Sequence, residues 1–105
     1  MKAISVDELQ SRIAGGEDLF LLDVREADER EISVLHDQMH IPMGDVLVRM
    51  EEIPKDRVVI VYCRTGGRSG KVIEALEQAG FTQLFNLEGG INEYARKIDS
   101  SLQTY

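Results

Sequence analysis

The chain holds one cysteine in 105 residues and no tryptophan. A single thiol excludes an internal disulfide and fits a reducing compartment. It also excludes an internal resolving thiol, so any redox or sulfur-transfer partner must come from outside the chain. Basic charge is scarce too: twelve Lys and Arg stand against nineteen Asp and Glu, for a formal net charge of −7. That balance argues against a nucleic-acid partner, which needs a basic footprint. No apolar run approaches the ~20 residues of a membrane span. The opening "MKAISVDELQ" lacks the apolar core of a secretory signal. A cytoplasmic protein with no membrane partner is expected. With no second cysteine and no spaced histidine pair, the sequence offers no metal site. Repeats, low-complexity tracts and linkers are absent. Residues 1–105 therefore read as one domain.

What the chain does have is alternation. Short apolar runs take turns with segments of helical period. "SVDE" (5–8) is a capping-box pattern with Ser5 as N-cap. Val6, Leu9 and Ile13 follow at helical spacing, and Gly15-Gly16 ends the helix. "LFLLDV" (19–24) reads as a buried parallel strand closed by Asp23, with a short polar helix near 26–32. "MHIP" (39–42) reads as a short strand ended by Pro42. Val46, Leu47 and Met50 predict a helix before Pro54. "VVIVY" (58–62) is the plainest strand, with four β-branched residues and a tyrosine. Val72, Ile73, Leu76 and Ala79 give the next helix, capped by Gly80. "QLFNL" (83–87) reads as a strand, and Ile91, Tyr94, Ala95 and Ile98 as a last helical face. Segment 31–40, with His36 and His40, carries no clear period. The pattern predicts an α/β fold with a parallel sheet. In such sheets functional groups collect at the carboxyl ends of strands, where Asp23 and Cys63 both fall.

A free cysteine is usually a small buried hydrophobe. The residues after Cys63 point the other way. Gly66 and Gly67 let the backbone present N–H groups in an anion-binding turn. Ser69 is placed to cap the helix that follows, so the positive end of its dipole faces the sulfur. From Arg57 to Ile73 there are four bases (Arg57, Arg64, Arg68, Lys71) and no acid. Backbone donors, a helix N-terminus and nearby arginines all favour thiolate over thiol. No histidine is fixed nearby, so the loop itself must activate the sulfur. Cys63 and Arg68 enclose four residues: Arg64, Thr65, Gly66 and Gly67. Cysteine-dependent phosphatases enclose five, and their wider loop encircles a phosphate. The tighter loop suits one extra sulfur atom on the cysteine and crowds a phosphoryl group.

The ordered set "LLDVRE" (21–26), "IPMGD" (41–45), "VVIVYCRTGGRSG" (58–70), "AGF" (79–81) and "NLEGGI" (86–91) resembles the rhodanese family of sulfurtransferases. It spans nearly the whole chain. The resemblance implies a small five-stranded parallel sheet with helices on both faces, and a cysteine opening a six-residue loop. It implies that Cys63 takes a sulfur from an anionic donor, thiosulfate or a persulfidated protein. Cys63 would hold it as a persulfide and pass it to cyanide, a thiol or a small sulfur-carrier protein, with no cofactor. Amides from Arg64 to Ser69 would stabilise the persulfide. Arg68 would close the loop and add positive charge, and Arg64 would steer donors. Asp23 and Arg25 would play a supporting part, and Glu88, Gly89 and Gly90 a structural one. "GGINEYARKIDSSLQTY" (89–105) is similar to the end of rhodanese domains fused to molybdopterin and thiamine adenylyltransferases. That likeness leaves a free-standing protein and an excised domain both open. It also keeps a second reading: a sulfur-relay or protein-interaction module with little small-molecule turnover. The phosphatase and arsenate reductase readings are disfavoured by loop length. Two departures from the family stand out. "VLHDQMHIPMGD" replaces the usual "GHIPGA" region, and Tyr94 stands where many relatives carry tryptophan.

Overall fold

"VIVY" forms the centre of the sheet. In the computed structural model, which describes residues 1–105, strand β4 (Val59–Tyr62) is buried along its whole length. A strand covered on both faces needs apolar side chains in both directions, and these four supply them. On one side β4 pairs with β2 (Phe20–Asp23), which carries β3 (Gln38–His40) at the edge. On the other it pairs with β5 (Leu84–Leu87), which carries β1 (Lys2–Ile4). All pairings are parallel, in the order β1-β5-β4-β2-β3. The sheet has the five parallel strands that the resemblance implied.

Alternation along the strands sends side chains into two separate cores. Val59, Val61 and Cys63 pack with Leu22, Val24, Ile41 and Val46 beneath helix α2 (Gly67–Gln78), which contributes Val72, Ile73 and Leu76. Ile60 and Tyr62 point the other way. They pack with Leu21 and Leu87 against α1 (Val6–Ala14) and α3 (Gly90–Lys97), through Leu9 and Ile91. Helices therefore cover both faces. No helix is long and apolar enough to cross a membrane.

Several local expectations hold and several fail. Ser5 caps α1, accepting the Glu8 N–H at 3.1 Å. The polar helix near 26–32 is a 3-10 turn, Ala27–Glu31. The helix read from Val46, Leu47 and Met50 does not form. Two short 3-10 turns, Met43–Asp45 and Met50–Glu52, occupy the region. Val46 and Ile53 reach the core, but Leu47 and Val48 are exposed. Without a continuous apolar face, nothing holds a helix against the sheet. Strand β1 was not legible, because its three residues run straight into the cap of α1. The unperiodic segment 31–40 turns through Asp37, a non-glycine residue at φ +52, and then enters β3.

At the carboxyl end of β2 lies the largest fully buried side chain in the molecule, and it is charged. Arg25 is fully buried, and so is its partner Asp23. Arg25 Nε and Nη2 donate to the two Asp23 carboxylate oxygens at 3.0 and 2.8 Å. Nη2 also donates to the Ser33 carbonyl, and Nη1 to the Glu29 carbonyl and the Tyr105 hydroxyl. Tyr62 donates its hydroxyl to Asp23 at 3.1 Å. Burial alone raises a carboxyl pKa, but the Arg25 hydrogen bonds and charge outweigh it and hold Asp23 below its ordinary value. Removing one partner from such a pair leaves an uncompensated buried charge. Asp23→Asn is therefore expected to cost about 3–5 kcal/mol in urea unfolding. A loss below about 1 kcal/mol, the range of exposed pairs, would contradict the account.

Candidate active site

Cys63 follows β4 directly and is 1% exposed. The chain then turns through Arg64 and Thr65 to Gly66, which sits at φ +116 as the N-cap of α2. That backbone conformation is closed to most L side chains, so a glycine is required there. Its consequence is chemical. The Gly66 N–H points back at the sulfur and donates to Cys63 Sγ at 3.1 Å. Ser69 is not the N-cap that the sequence suggested. It lies inside the first turn of α2, with Oγ 3.4 Å from Cys63 Sγ. Burial pushes the thiol pKa up. The Ser69 hydroxyl and the amides of Ser69, Gly66 and Thr65 push it down further, and the net result lies below the ordinary thiol value.

Other residues hold this loop from outside. Asn86 in β5 lies beside it: its Nδ2 donates to the Gly66 carbonyl at 3.1 Å, and its Oδ1 lies 2.6 Å from Ser69 Oγ. Ser69 Oγ also sits 3.1 Å from the Gly66 carbonyl, so one hydroxyl proton has three acceptors within reach. Sequence reasoning placed Asn86 only as a strand residue. An asparagine within an otherwise apolar strand was the available signal. From below, α3 pins the loop's first residues. Ile91 N donates to the Cys63 carbonyl and Asn92 N to the Arg64 carbonyl, at 3.0 and 3.2 Å. Gly90 makes that approach possible. A Cβ there would sit 2.5 Å from the Cys63 carbonyl oxygen and collide with the Arg64 carbonyl. Of Glu88, Gly89 and Gly90, for which a structural role was expected, Gly90 makes this close contact, while Gly89 sits at φ +75 as the N-cap of α3.

The arginines do not behave as one positive patch. Arg57 lies elsewhere and pairs with Asp18 at 2.6 Å. Arg68 follows the loop in the first turn of α2, and its charge is matched. Both its terminal nitrogens donate to Glu29 at 2.7 Å. Glu29 further accepts the Tyr105 hydroxyl at 2.7 Å and the Glu26 N–H at 2.9 Å. The Arg68 contact above all holds the Glu29 pKa at about 2, so the pair stays ionised through the physiological range. Of the eight arginines, only Arg64 has no carboxylate partner. It is exposed beside Cys63. The side chains of Asp23 and Arg25 lie on the opposite face of the sheet from Cys63. They reach the loop indirectly: Arg25 touches Tyr105 and the Glu29 carbonyl, and Tyr105 touches Glu29, the partner of Arg68.

Neither histidine joins the cysteine. His40 Nε2 lies 2.6 Å from the Arg25 carbonyl. His36 lines a separate cavity of about 450 Å³ with Leu9, Leu21, Tyr94 and Asp99. No cluster of three or more His, Cys, Asp or Glu is placed to hold a metal ion. The arrangement offers one buried sulfur with a lowered pKa, amide donors around it and an unpaired arginine at its edge. It suits nucleophilic attack by sulfur on an anionic substrate.

Residues 5–97 match the family model of the rhodanese-like domain. A protein of Allochromatium vinosum named as a sulfurtransferase is 41% identical over 93 residues, covering 89% of this chain and 87% of its own. The putative sulfurtransferase YtwF of Bacillus subtilis is 38% identical, with 87% of each chain covered. The probable adenylyltransferase/sulfurtransferase MoeZ of Mycobacterium tuberculosis is 32% identical. It covers 97% of this chain but only 26% of its own length. Among solved structures, a rhodanese-like domain protein of Staphylococcus aureus superposes with a TM-score of 0.87 at 28% identity, over 100% of this chain and 99% of that one.

The hydroxyl of Ser69 is the one side-chain hydrogen-bonding group at the sulfur, and its loss isolates its share of the activation. Ser69→Ala is expected to move the midpoint of the pH profile for Cys63 alkylation upward. An unchanged or lowered midpoint would assign the activation to the amides alone.

Proposed function

The chain belongs to the rhodanese-like domain family, and on that footing we propose that it is a sulfurtransferase that carries sulfur on Cys63. The observation that carries the proposal is the loop itself. An activated sulfur sits at its floor, the Gly66 amide points at it from 3.1 Å, and only four residues separate it from Arg68. In the first half-reaction the Cys63 thiolate attacks the outer sulfur of thiosulfate or of a persulfide. The new S–S bond forms as the old one breaks, and the electron pair leaves with sulfite or the donor thiolate. In the second, an acceptor nucleophile attacks the outer sulfur of the Cys63 persulfide. Cyanide yields thiocyanate and a thiol yields a new persulfide, and the Cys63 thiolate is restored. The sulfur is carried covalently, so the cycle uses no cofactor.

The amides of the loop act twice. They hold the thiolate before the first attack and the terminal persulfide sulfur afterwards, donating as an oxyanion hole donates to an oxyanion. Arg68, tied to Glu29, fixes the far side of the loop rather than supplying free charge. Arg64 supplies that charge.

A protein partner as donor or acceptor is the second reading. The relatives favour it: MoeZ is named as adenylyltransferase and sulfurtransferase together, and YrkF of Bacillus subtilis, 28% identical, as a putative sulfur carrier protein. Exposed Met43, Leu47 and Val48 lie on the stretch that follows β3 and hydrogen-bonds to the Val24 carbonyl after β2, at the same end of the sheet as Cys63.

Incubating the protein with thiosulfate and cyanide is expected to release thiocyanate, and Cys63→Ser to abolish release. Slow turnover with thiosulfate but fast transfer from a persulfidated protein would select the relay reading. Hydrolysis of an aryl phosphate by wild type and not by Cys63→Ser, with no thiocyanate formed, would overturn sulfur transfer.

A further inference from the structure

Tyr105 is held more firmly than a surface tyrosine requires. Asn92, itself 4% exposed, brackets its backbone. Asn92 Nδ2 donates to the Tyr105 carbonyl at 2.8 Å, and Tyr105 N donates to Asn92 Oδ1 at 3.2 Å. At the far end of the side chain, the hydroxyl accepts from Arg25 Nη1 at 3.0 Å and donates to Glu29 at 2.7 Å. Hydrogen bonds at both ends thus fix the ring between them. A buried asparagine whose side chain serves one backbone unit marks a built contact, because a buried amide left unpaired is costly.

The Arg64 guanidinium lies 5.1 Å from the centroid of that ring. This is within the range of a cation–π contact. Arg64 makes no ion pair, so the ring is the partner that orients its charged end. An unpaired arginine on a surface otherwise spreads over many rotamers, and fixing it costs side-chain entropy. A planar ring anchored in advance lowers that cost and leaves the guanidinium edge free for hydrogen bonds.

We infer that Tyr105 is a positioning residue that holds Arg64 at the mouth of the Cys63 loop, where Arg64 receives the anionic part of the sulfur donor. The inference rests on the sulfur-transfer reading of Cys63. The ring does the positioning. The Asn92 bracket keeps the ring beside Arg64, and the hydroxyl completes the hydrogen bonds of Arg25 and Glu29, so it contributes stability rather than selectivity.

Two alkylating agents of similar size separate these roles. Iodoacetate is anionic and iodoacetamide is neutral, and the ratio of their rate constants at Cys63 reports anion preference. Arg64→Ala gives the ratio without the cation. Tyr105→Leu is expected to lower the wild-type ratio roughly fivefold toward that floor, with the iodoacetamide rate within about twofold of wild type. Tyr105→Phe keeps the ring and its backbone bracket. It is expected to hold the wild-type ratio while the melting temperature falls. The KM for thiosulfate is expected to follow the ratio, with kcat unchanged. A Tyr105→Leu ratio equal to wild type overturns the inference. So does a Tyr105→Phe ratio as low as that of Tyr105→Leu, or a wild-type ratio equal to that of Arg64→Ala. Should Tyr105→Leu not fold, Asn92→Ala carries the test: a lowered ratio supports the inference and an unchanged one overturns it. Failure of sulfur transfer itself is distinguishable, since it would leave wild type without thiocyanate while the alkylation ratios still ordered as stated.

Discussion

An anionic sulfur inside an acidic protein has to be stabilised by what touches it. Cys63 is 1% exposed, and the chain carries a net charge of −7. Bulk water does not reach the sulfur, and the protein's overall field opposes its ionisation. Local donors therefore decide the matter, and they exist only if the backbone from Cys63 to Ser69 holds one conformation. Gly66 at φ +116 aims an amide at the sulfur. Asn86 fixes the Gly66 carbonyl, and Gly90 lets α3 approach from below to bind the carbonyls of Cys63 and Arg64. The parallel sheet serves the same end, delivering Cys63 at the end of its central strand and α2 immediately after it.

Charge around the loop is arranged rather than accumulated. Asp23 and Arg25 neutralise each other on one face of the sheet, and Glu29 and Arg68 do so on the other side of Tyr105. The Tyr105 hydroxyl touches both pairs and is itself neutral. Arg30 shares the Asp23 carboxylate with Arg25, and Arg64, next to Cys63 in the chain, is the arginine with no carboxylate partner at all. In the proposed function, that arrangement lets an acidic protein recruit an anion to one point without a broad basic surface, which would also attract nucleic acid.

The sequence made the sheet and the cysteine loop readable for physical reasons. "VVIVY" has to be apolar in both directions because β4 is covered on both faces. Gly66 and Gly67 after a lone cysteine announced a backbone turn, and the count to Arg68 announced its size. Three features were hidden. Strand β1 is three residues long and merges into the cap of α1. Arg68 looked like free positive charge because its partner Glu29 lies 39 residues earlier, in a 3-10 turn that local pattern did not tie to the loop. Asn86 and Tyr105 act through contacts that only the folded chain makes. The failed helix at 46–50 has the opposite cause: of the apolar residues with helical spacing, Val46 is buried and Met50 packs against the core, but Leu47 finds no core to enter.

The central claim is that Cys63 takes up one sulfur atom and keeps it. Intact mass measurement tests this without any coupled assay. The full chain is treated with thiosulfate in the absence of reductant, freed of small molecules and weighed before and after cyanide. The account predicts a gain of about 32 Da, one sulfur atom, at one per chain and located on Cys63, lost again on cyanide treatment. No gain, or a gain that retains the sulfite portion of the donor, would contradict it.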